Sequence, residues 1–362
     1  MEPREKLMHN KSECDKSIKA VDLFCGAGGL TKGLEKVGID VRLGIDLDPA
    51  CIYPYKANNS ADFLLKPVED VTAAEIKNAW SGASVRLLAG CAPCQPFSTY
   101  SQGKSDPTDK RWNLLLQFAR LVEETGPEIV TMENVPRLAE QDIFLEFISG
   151  LEGLGYQVSH QIVNCADYGL PQQRHRLVLL ASKLGPIKLI PPTRTSDKYK
   201  TVRDAIGKLP QIKSGETYKG DPLHHSSVLS PKNILRIKAS KPGGTWRDWD
   251  ESLVAACHKK ASGKTYPGVY GRMTWDNPAP TITTQFFGFG NGRFGHPEQD
   301  RALSLREGAI IQSFPKGYKF TAPGEPIATK TVGRLIGNAV PVKLGEAIGK
   351  SVLNHVARYR TA

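Results

Sequence analysis

Two cysteines three residues apart, Cys91 and Cys94, lie in the stretch GCAPCQPFS, where a thiol can bind a metal, exchange disulfides or act as a nucleophile. Zinc asks for four ligands, usually from a second close cysteine pair or two spaced histidines. The other cysteines, at positions 14, 25, 51, 165 and 257, form no such pair, and no HxxxH spacing occurs, so no metal is expected. A thioredoxin-like pair opens a helix soon after the first strand of a small domain. This pair comes after a third apolar strand, with Pro93 inside it and Pro96 and a long polar loop after it. In the third reading Cys94 acts alone as a nucleophile just past the C-terminal end of a central strand, where open α/β sheets place their ligands. Cys91 is then filler beneath the loop.

A nucleophilic cysteine needs partners. The run TMENVPRL ends a strand on Glu133 and Asn134, and Glu133 is flanked by apolar Val130, Met132 and Val135. A carboxylate so flanked is partly desolvated and can carry a proton at neutral pH. PQQRHRLVLL supplies Arg174 and Arg176, alternate residues facing one side of a strand, suited to a carboxylate, carbonyl or phosphate. His175 between them points away. Upstream, DLFCGAGGLTKGL places Gly26, Gly28 and Gly29 between a strand and a helix. A helix N-terminus offers unpaired N–H groups, and glycine lets a ligand approach the backbone. The spacing is not the dinucleotide fingerprint. Asp46, at the end of the next strand, can accept from both hydroxyls of a ribose. Asp70 can accept from an adenine amino group.

The elements that must position these residues alternate. Strands are expected at 20–24, 41–46, 84–90, 128–134 and 176–182, with helices at 29–38, 113–126 and 141–155. The expected fold is therefore α/β, a doubly wound, mostly parallel, Rossmann-like sheet. Residues 186–300, rich in Pro, Gly, Lys and aromatics, read as a smaller, irregular, mainly-β domain. The domains are read as 1–185, 186–300 and 301–362, the last a hinge and a C-terminal helix that completes the first domain.

Charge divides along the same lines. The net is −5 over residues 1–182, +9 over 183–300 and +7 over 301–362. A basic part beside an acidic part suggests a polyanion held on one side of a cleft. No apolar run is long enough to span a membrane, and the first twenty residues lack the apolar segment of a secretory signal. An odd number of scattered cysteines, seven, suits a reducing, cytoplasmic setting.

Six stretches together, DLFCGAGGL, APCQPFS, MENVPRL, GLPQQRHRLVLL, LSLREGAIIQSFP and GNAVPVKLGEAI, resemble the DNA (cytosine-5)-methyltransferases, in that family's order and over nearly the whole chain. The resemblance implies S-adenosylmethionine as cofactor and a flipped-out cytosine in duplex DNA as substrate. It implies that Cys94 adds covalently to the base, with Glu133, Arg174 and Arg176 as the other catalytic residues. Glu133 stabilises charge at the ring nitrogen, Arg176 holds the carbonyl oxygen, and Arg174 sits near Cys94 and a backbone phosphate.

The cofactor residues carried over are Phe24, Gly26, Ala27, Gly28, Gly29, Asp46, Leu47, Asp70, Val71, Pro93, Asn338 and Val340. Asp46 stands where many family members have Glu. Ser98, Lys104, Asn134, Arg272 and Thr283 are expected at the DNA, with the loop after Cys94 as a lid and 186–300 as the recognition region. The lean layout is similar to bacterial restriction–modification or orphan enzymes. It implies a monomer on the nucleoid, with a partner endonuclease acting on the same site. A tRNA-methylating relative and a non-catalytic DNA-binding relative are the other outcomes.

Overall fold

The computed structural model describes residues 18–93 and 113–360. Seven strands form one sheet: β1 Ile18–Leu23, β2 Asp40–Asp46, β3 Asp62–Leu65, β4 Val85–Gly90, β5 Ile129–Asn134, β6 Gln157–Asn164 and β7 His175–Ser182. Their order is β3-β2-β1-β4-β5-β7-β6. Strands β3 through β5 along this order pair in parallel, whereas β7 runs antiparallel to both β5 and β6. The doubly wound, mostly parallel sheet is thus present, with one reversed strand, β7, next to the β6 edge. Chain order reverses between β1 and β4, so the crevice beyond their carboxyl ends is the natural binding place.

The helices are α1 Gly29–Lys36, α2 Ile52–Lys56, α3 Ala73–Ala79, α4 Asn113–Thr125, α5 Asp142–Gly153, α6 Val202–Ile206, α7 Pro231–Ala239, α8 Ala256–Lys259, α9 Leu305–Ile311, α10 Thr329–Asn338 and α11 Val342–Arg360. Adjacent residues of a strand point to opposite faces, and the core divides accordingly. Ala20, Leu87 and Ile129 face Leu30 and Leu34 of α1 with Leu344 and Ile348 of α11. Their neighbours Val21, Leu88 and Val130 face Phe118 of α4 and Phe144 and Phe147 of α5. Both faces are covered, which is why these strands read as continuous apolar runs. Helix α11 lies tight on α1: a Cβ added to Gly33 would stand 2.6 Å from the Gly345 Cα.

The expected single C-terminal helix is two. Ala339 leaves helical geometry (φ −60°, ψ 143°) at the end of α10, and Pro341 cannot supply the amide a continuing helix needs. The break turns Asn338 and Val340 toward the carboxyl end of the sheet.

Residues 183–300 are irregular, as expected, but among the described residues they carry short helices and isolated β-bridges rather than strands. Recurrent Pro and Gly interrupt any longer ladder. This part shares a core with the rest: Val202, Phe286 and Phe294 meet Leu303, Leu335 and Ile336, with Ala27 and Cys51 from the first part of the chain. Trp275 and Phe287 pack against the same cluster. Of its arginines, Arg236 and Arg272 are buried, whereas Arg203 and Arg247 are exposed. Arg301, fully buried, donates through both terminal nitrogens to Glu307 at 2.7 Å each. That pair also completes a capping box on α9, in which Ser304 and Glu307 satisfy each other's amides. Lys208, Lys213, Lys232 and Lys238 stay exposed.

Candidate functional site

A cavity of about 660 Å³ opens at the carboxyl ends of β1, β2, β4 and β5. The turn after β1 forms one wall. Phe24 takes a left-handed backbone (φ 57°), as do Gly26 (φ 54°) and Gly28 (φ 84°). Phe24 bears a steric cost that the two glycines do not. The turn is pinned from below: the Gly26 amide donates to Asp46 Oδ2 at 2.9 Å, and the Asp48 amide to Asp46 Oδ1 at 2.9 Å. Burial pushes the Asp46 carboxyl above the usual carboxylate range, opposed by those amides.

Phe24, Gly26, Ala27, Asp46, Leu47, Pro93, Asn338 and Val340, all expected at the cofactor, line this cavity. Leu47 is 58% exposed at its rim. Gly28 and Gly29 serve a different purpose from the one expected. A Cβ at Gly29 would meet the Val340 carbonyl oxygen at 2.2 Å, and one at Gly28 would meet the Asn59 amide at 2.3 Å. These two glycines let protein, rather than ligand, approach the loop. Asp70 is exposed and Val71 lies in the core, and neither lines the cavity; Lys66 and Val68 represent that loop there. Lys66 is held by Glu75 at 2.9 and 3.1 Å.

Sequence reasoning also missed Asp22 in the cavity floor. It is buried, accepts from Thr31 Oγ1 at 2.7 Å, and burial raises its pKa to about 7. Its place as the polar residue within an apolar strand was the available signal. Arg334 of α10, likewise unforeseen, crosses the rim to pair with Asp48 at 2.6 Å.

The opposite wall is acidic and basic by turns. Glu133, at the end of β5, is only 3% exposed. Arg176 Nε lies 2.9 Å from its Oε1, an ion pair out of line for a hydrogen bond. The Cys91 thiol donates to Oε2 at 3.0 Å. Cys91 is therefore not filler. Arg174 and Arg176 both line the cavity, and His175 is exposed outside it.

Three expected contacts need correction. Arg174 is enclosed instead of free for a phosphate: it donates to the carbonyls of Ile282 at 2.9 Å and Gly337 at 3.0 Å. Burial lowers its pKa to about 9. Asn134 is buried, donating to the Ala92 carbonyl at 3.1 Å and accepting from the Val135 amide at 2.7 Å, so it shapes the turn rather than reading DNA. Arg272, 5% exposed, donates to the carbonyls of Ile237, Ser240, His296 and Gln299 and pairs with Asp300. It is a rivet of the 186–300 segment, and no DNA phosphate can reach it without unfolding those hydrogen bonds. Thr283 is half-buried beside Gly337. Cys94, Ser98 and Lys104 lie outside the described residues.

The cavity fits a nucleoside joined to a charged chain. Its size matches a small cofactor, its glycine turn brings backbone to the wall, and carboxylates stand at its floor and edge. Among the described residues, no cluster of three or more His, Cys, Asp or Glu could hold a metal, and no helix is long and apolar enough to cross a membrane.

The sequence model of the family described as C-5 cytosine-specific DNA methylase matches residues 18–354. The chain is 53% identical over 335 residues to the Type II methylase M.HgiDII of Herpetosiphon aurantiacus, covering 92% of this chain and 94% of that one. It is 33% identical over 347 residues to the Type II methyltransferase M1.HphI of Haemophilus parahaemolyticus, covering 93% and 87%. In fold it is similar to a prophage-encoded DNA modification methyltransferase of E. coli, with a TM-score of 0.72 at 22% identity, covering 94% of this chain and 100% of that chain.

Proposed function

The chain belongs to the C-5 cytosine-specific DNA methylase family, an S-adenosylmethionine-dependent DNA (cytosine-5)-methyltransferase, and from that premise we propose how its residues do the work. A cytosine extruded from the duplex enters the cavity beside Glu133 and Arg176, at a cost of a few kcal/mol in unstacking. The Cys94 thiolate adds to C6. As the sulfur–carbon bond forms, the ring's electron pair moves toward N3, where Glu133 shares a proton with it. Arg176 holds the base carbonyl and keeps Glu133 oriented. Carbon 5 is thereby made nucleophilic. Bound S-adenosylmethionine supplies an electrophilic methyl group at the cavity. Loss of the C5 proton then expels Cys94 and restores the aromatic base.

The cofactor is held by the Phe24–Ala27 turn, Asp46, Leu47, Pro93, Asn338 and Val340. Residues 186–300 act as the target-recognition domain, with exposed lysines on phosphates. The catalytic domain is 1–185, completed by 301–362. The observation that carries this reading is the bracketed Glu133, with Arg176 on one oxygen and Cys91 on the other, in the same cavity as the glycine turn. The similarity to two Type II enzymes supports a role in restriction–modification. We further propose a monomer in the bacterial cytoplasm that protects sites against a partner endonuclease.

The test is incubation with labelled S-adenosylmethionine and either duplex DNA or tRNA. Label is expected in DNA; label in tRNA alone would overturn the reading. Cys94→Ala is expected to abolish transfer while DNA retention persists.

A further inference from the structure

We propose that Cys91 is a positioning residue for Glu133, its thiol fixing one carboxylate oxygen so that the acid presents a set edge to the base. This rests on the reading of Glu133 as the group that meets the base's ring nitrogen. A carboxylate this deeply buried needs a partner at each oxygen. Arg176 faces Oε1 at 2.9 Å and the Cys91 thiol donates to Oε2 at 3.0 Å. The thiol's own position is fixed by backbone. The Cys91 amide donates to the Leu23 carbonyl at 3.3 Å, and Asn134 anchors the following carbonyl, that of Ala92, at 3.1 Å. Three central strands thus converge on the placement of one sulfur.

The donor type matters. A thiol is a weak, rotatable donor that can also accept weakly. A second guanidinium at Oε2 would hold the carboxylate ionised and oppose the arrival of a proton. The thiol orients it through a neutral, weaker hydrogen bond, leaving Arg176 to supply the charge. The groups around Glu133 are Arg176 from β7, Arg174 just before that strand, Cys165 from the turn after β6, and Cys91. Burial pushes the Cys165 thiol up to about 12, so it stays neutral. Replacing Cys91 therefore changes the hydrogen bonding of Glu133 and leaves the formal charges around it alone.

The experiment compares Cys91→Ala, Cys91→Gly and Cys91→Ser with the intact enzyme, measuring kcat, KM for DNA and cofactor, melting temperature and the pH profile of methyl transfer. Both thiol-less variants are expected to lose about fivefold in kcat, the equivalent of one hydrogen bond, with cofactor KM unchanged. The pH profile of methyl transfer is expected to change along with kcat, because the hydrogen bonding of the acid that meets the base has changed. Serine, which keeps a donor, is expected to restore both. In a Glu133→Gln background, Cys91→Ala is expected to cause no further loss. Unchanged kcat and pH profile in both thiol-less variants, or equal defects in Ala and Ser, would overturn the proposal while leaving Glu133's role intact. A Glu133→Gln enzyme with full activity would instead overturn the underlying reading.

Discussion

Asp22 is the one polar side chain within the first strand's buried run, and its replacement by asparagine isolates a single titration. In the folded protein burial raises its pKa from 3.8 to about 7. The folded state therefore holds this proton more tightly than the unfolded chain does. Its contribution to stability is fully present below pH 3.8, is lost progressively as pH rises, and is gone above about 7. At about 1.36 kcal/mol per pH unit, a shift of this size corresponds to roughly 4 kcal/mol. Asparagine keeps an oxygen for the Thr31 hydroxyl, now at 2.7 Å, and removes the charge. Its carboxamide also brings a fixed offset, which does not vary with pH. The stability of Asp22→Asn minus that of the parent is therefore expected to rise by about 4 kcal/mol between pH 4 and 8, whatever its starting value. Urea unfolding at half-unit intervals measures this directly, since the other titrations cancel in the difference. A difference that stays flat across that interval would refute the burial argument, as would one that falls.

Other perturbations have equally definite outcomes. Burial holds the His296 pKa at about 4, against an ordinary 6.5, so its contribution is present above pH 6.5 and is lost as pH falls toward 4. His296→Gln is expected to flatten the acid limb of stability by about 3 kcal/mol over that window, read by denaturant melts. Gly29→Ala forces a methyl group to 2.2 Å from the Val340 carbonyl, and is expected to cost about 1–3 kcal/mol and weaken cofactor binding, as read by melts and calorimetry. Arg301→Met leaves Glu307 buried without its bidentate partner, with an expected loss of about 3–5 kcal/mol in thermal unfolding. Arg272→Met is expected to lower stability without changing the salt slope of DNA binding. Lys208→Ala with Lys213→Ala is expected to reduce that slope by about one for each phosphate that is no longer neutralised, measured by fluorescence anisotropy across salt concentrations.

The parts of the fold visible in the sequence are those whose burial is two-sided. Strands β1, β4, β5 and β7 carry runs such as AVDL and RLVLL, because helices cover both faces. Strand β6 is an exposed edge, QVSHQIVN, and shows no such run; β3 has only four residues. Neither was legible, nor was the reversed direction of β7, since pairing direction leaves no mark on composition. In the site, Glu133, Arg176, Asp46 and the glycine turn were legible from residue type and strand ends. Glycines 28 and 29 were misjudged because close approach by a backbone and by a ligand demand the same residue. Arg174 and Arg272 were misjudged because a guanidinium serves a carbonyl cluster as well as a phosphate, and only burial separates the two. Cys91 and Glu133 are 42 positions apart, and their hydrogen bond exists only once β4 and β5 pair.

The most direct test uses duplex DNA carrying 5-fluorocytosine at the target site, incubated with enzyme and S-adenosylmethionine. The fluorine cannot leave as a proton would, so a stable protein–DNA adduct mapping to Cys94 is expected, absent in Cys94→Ala and sharply reduced in Glu133→Gln. Full methylation of ordinary DNA by an enzyme that never forms this adduct would contradict nucleophilic attack by that thiol.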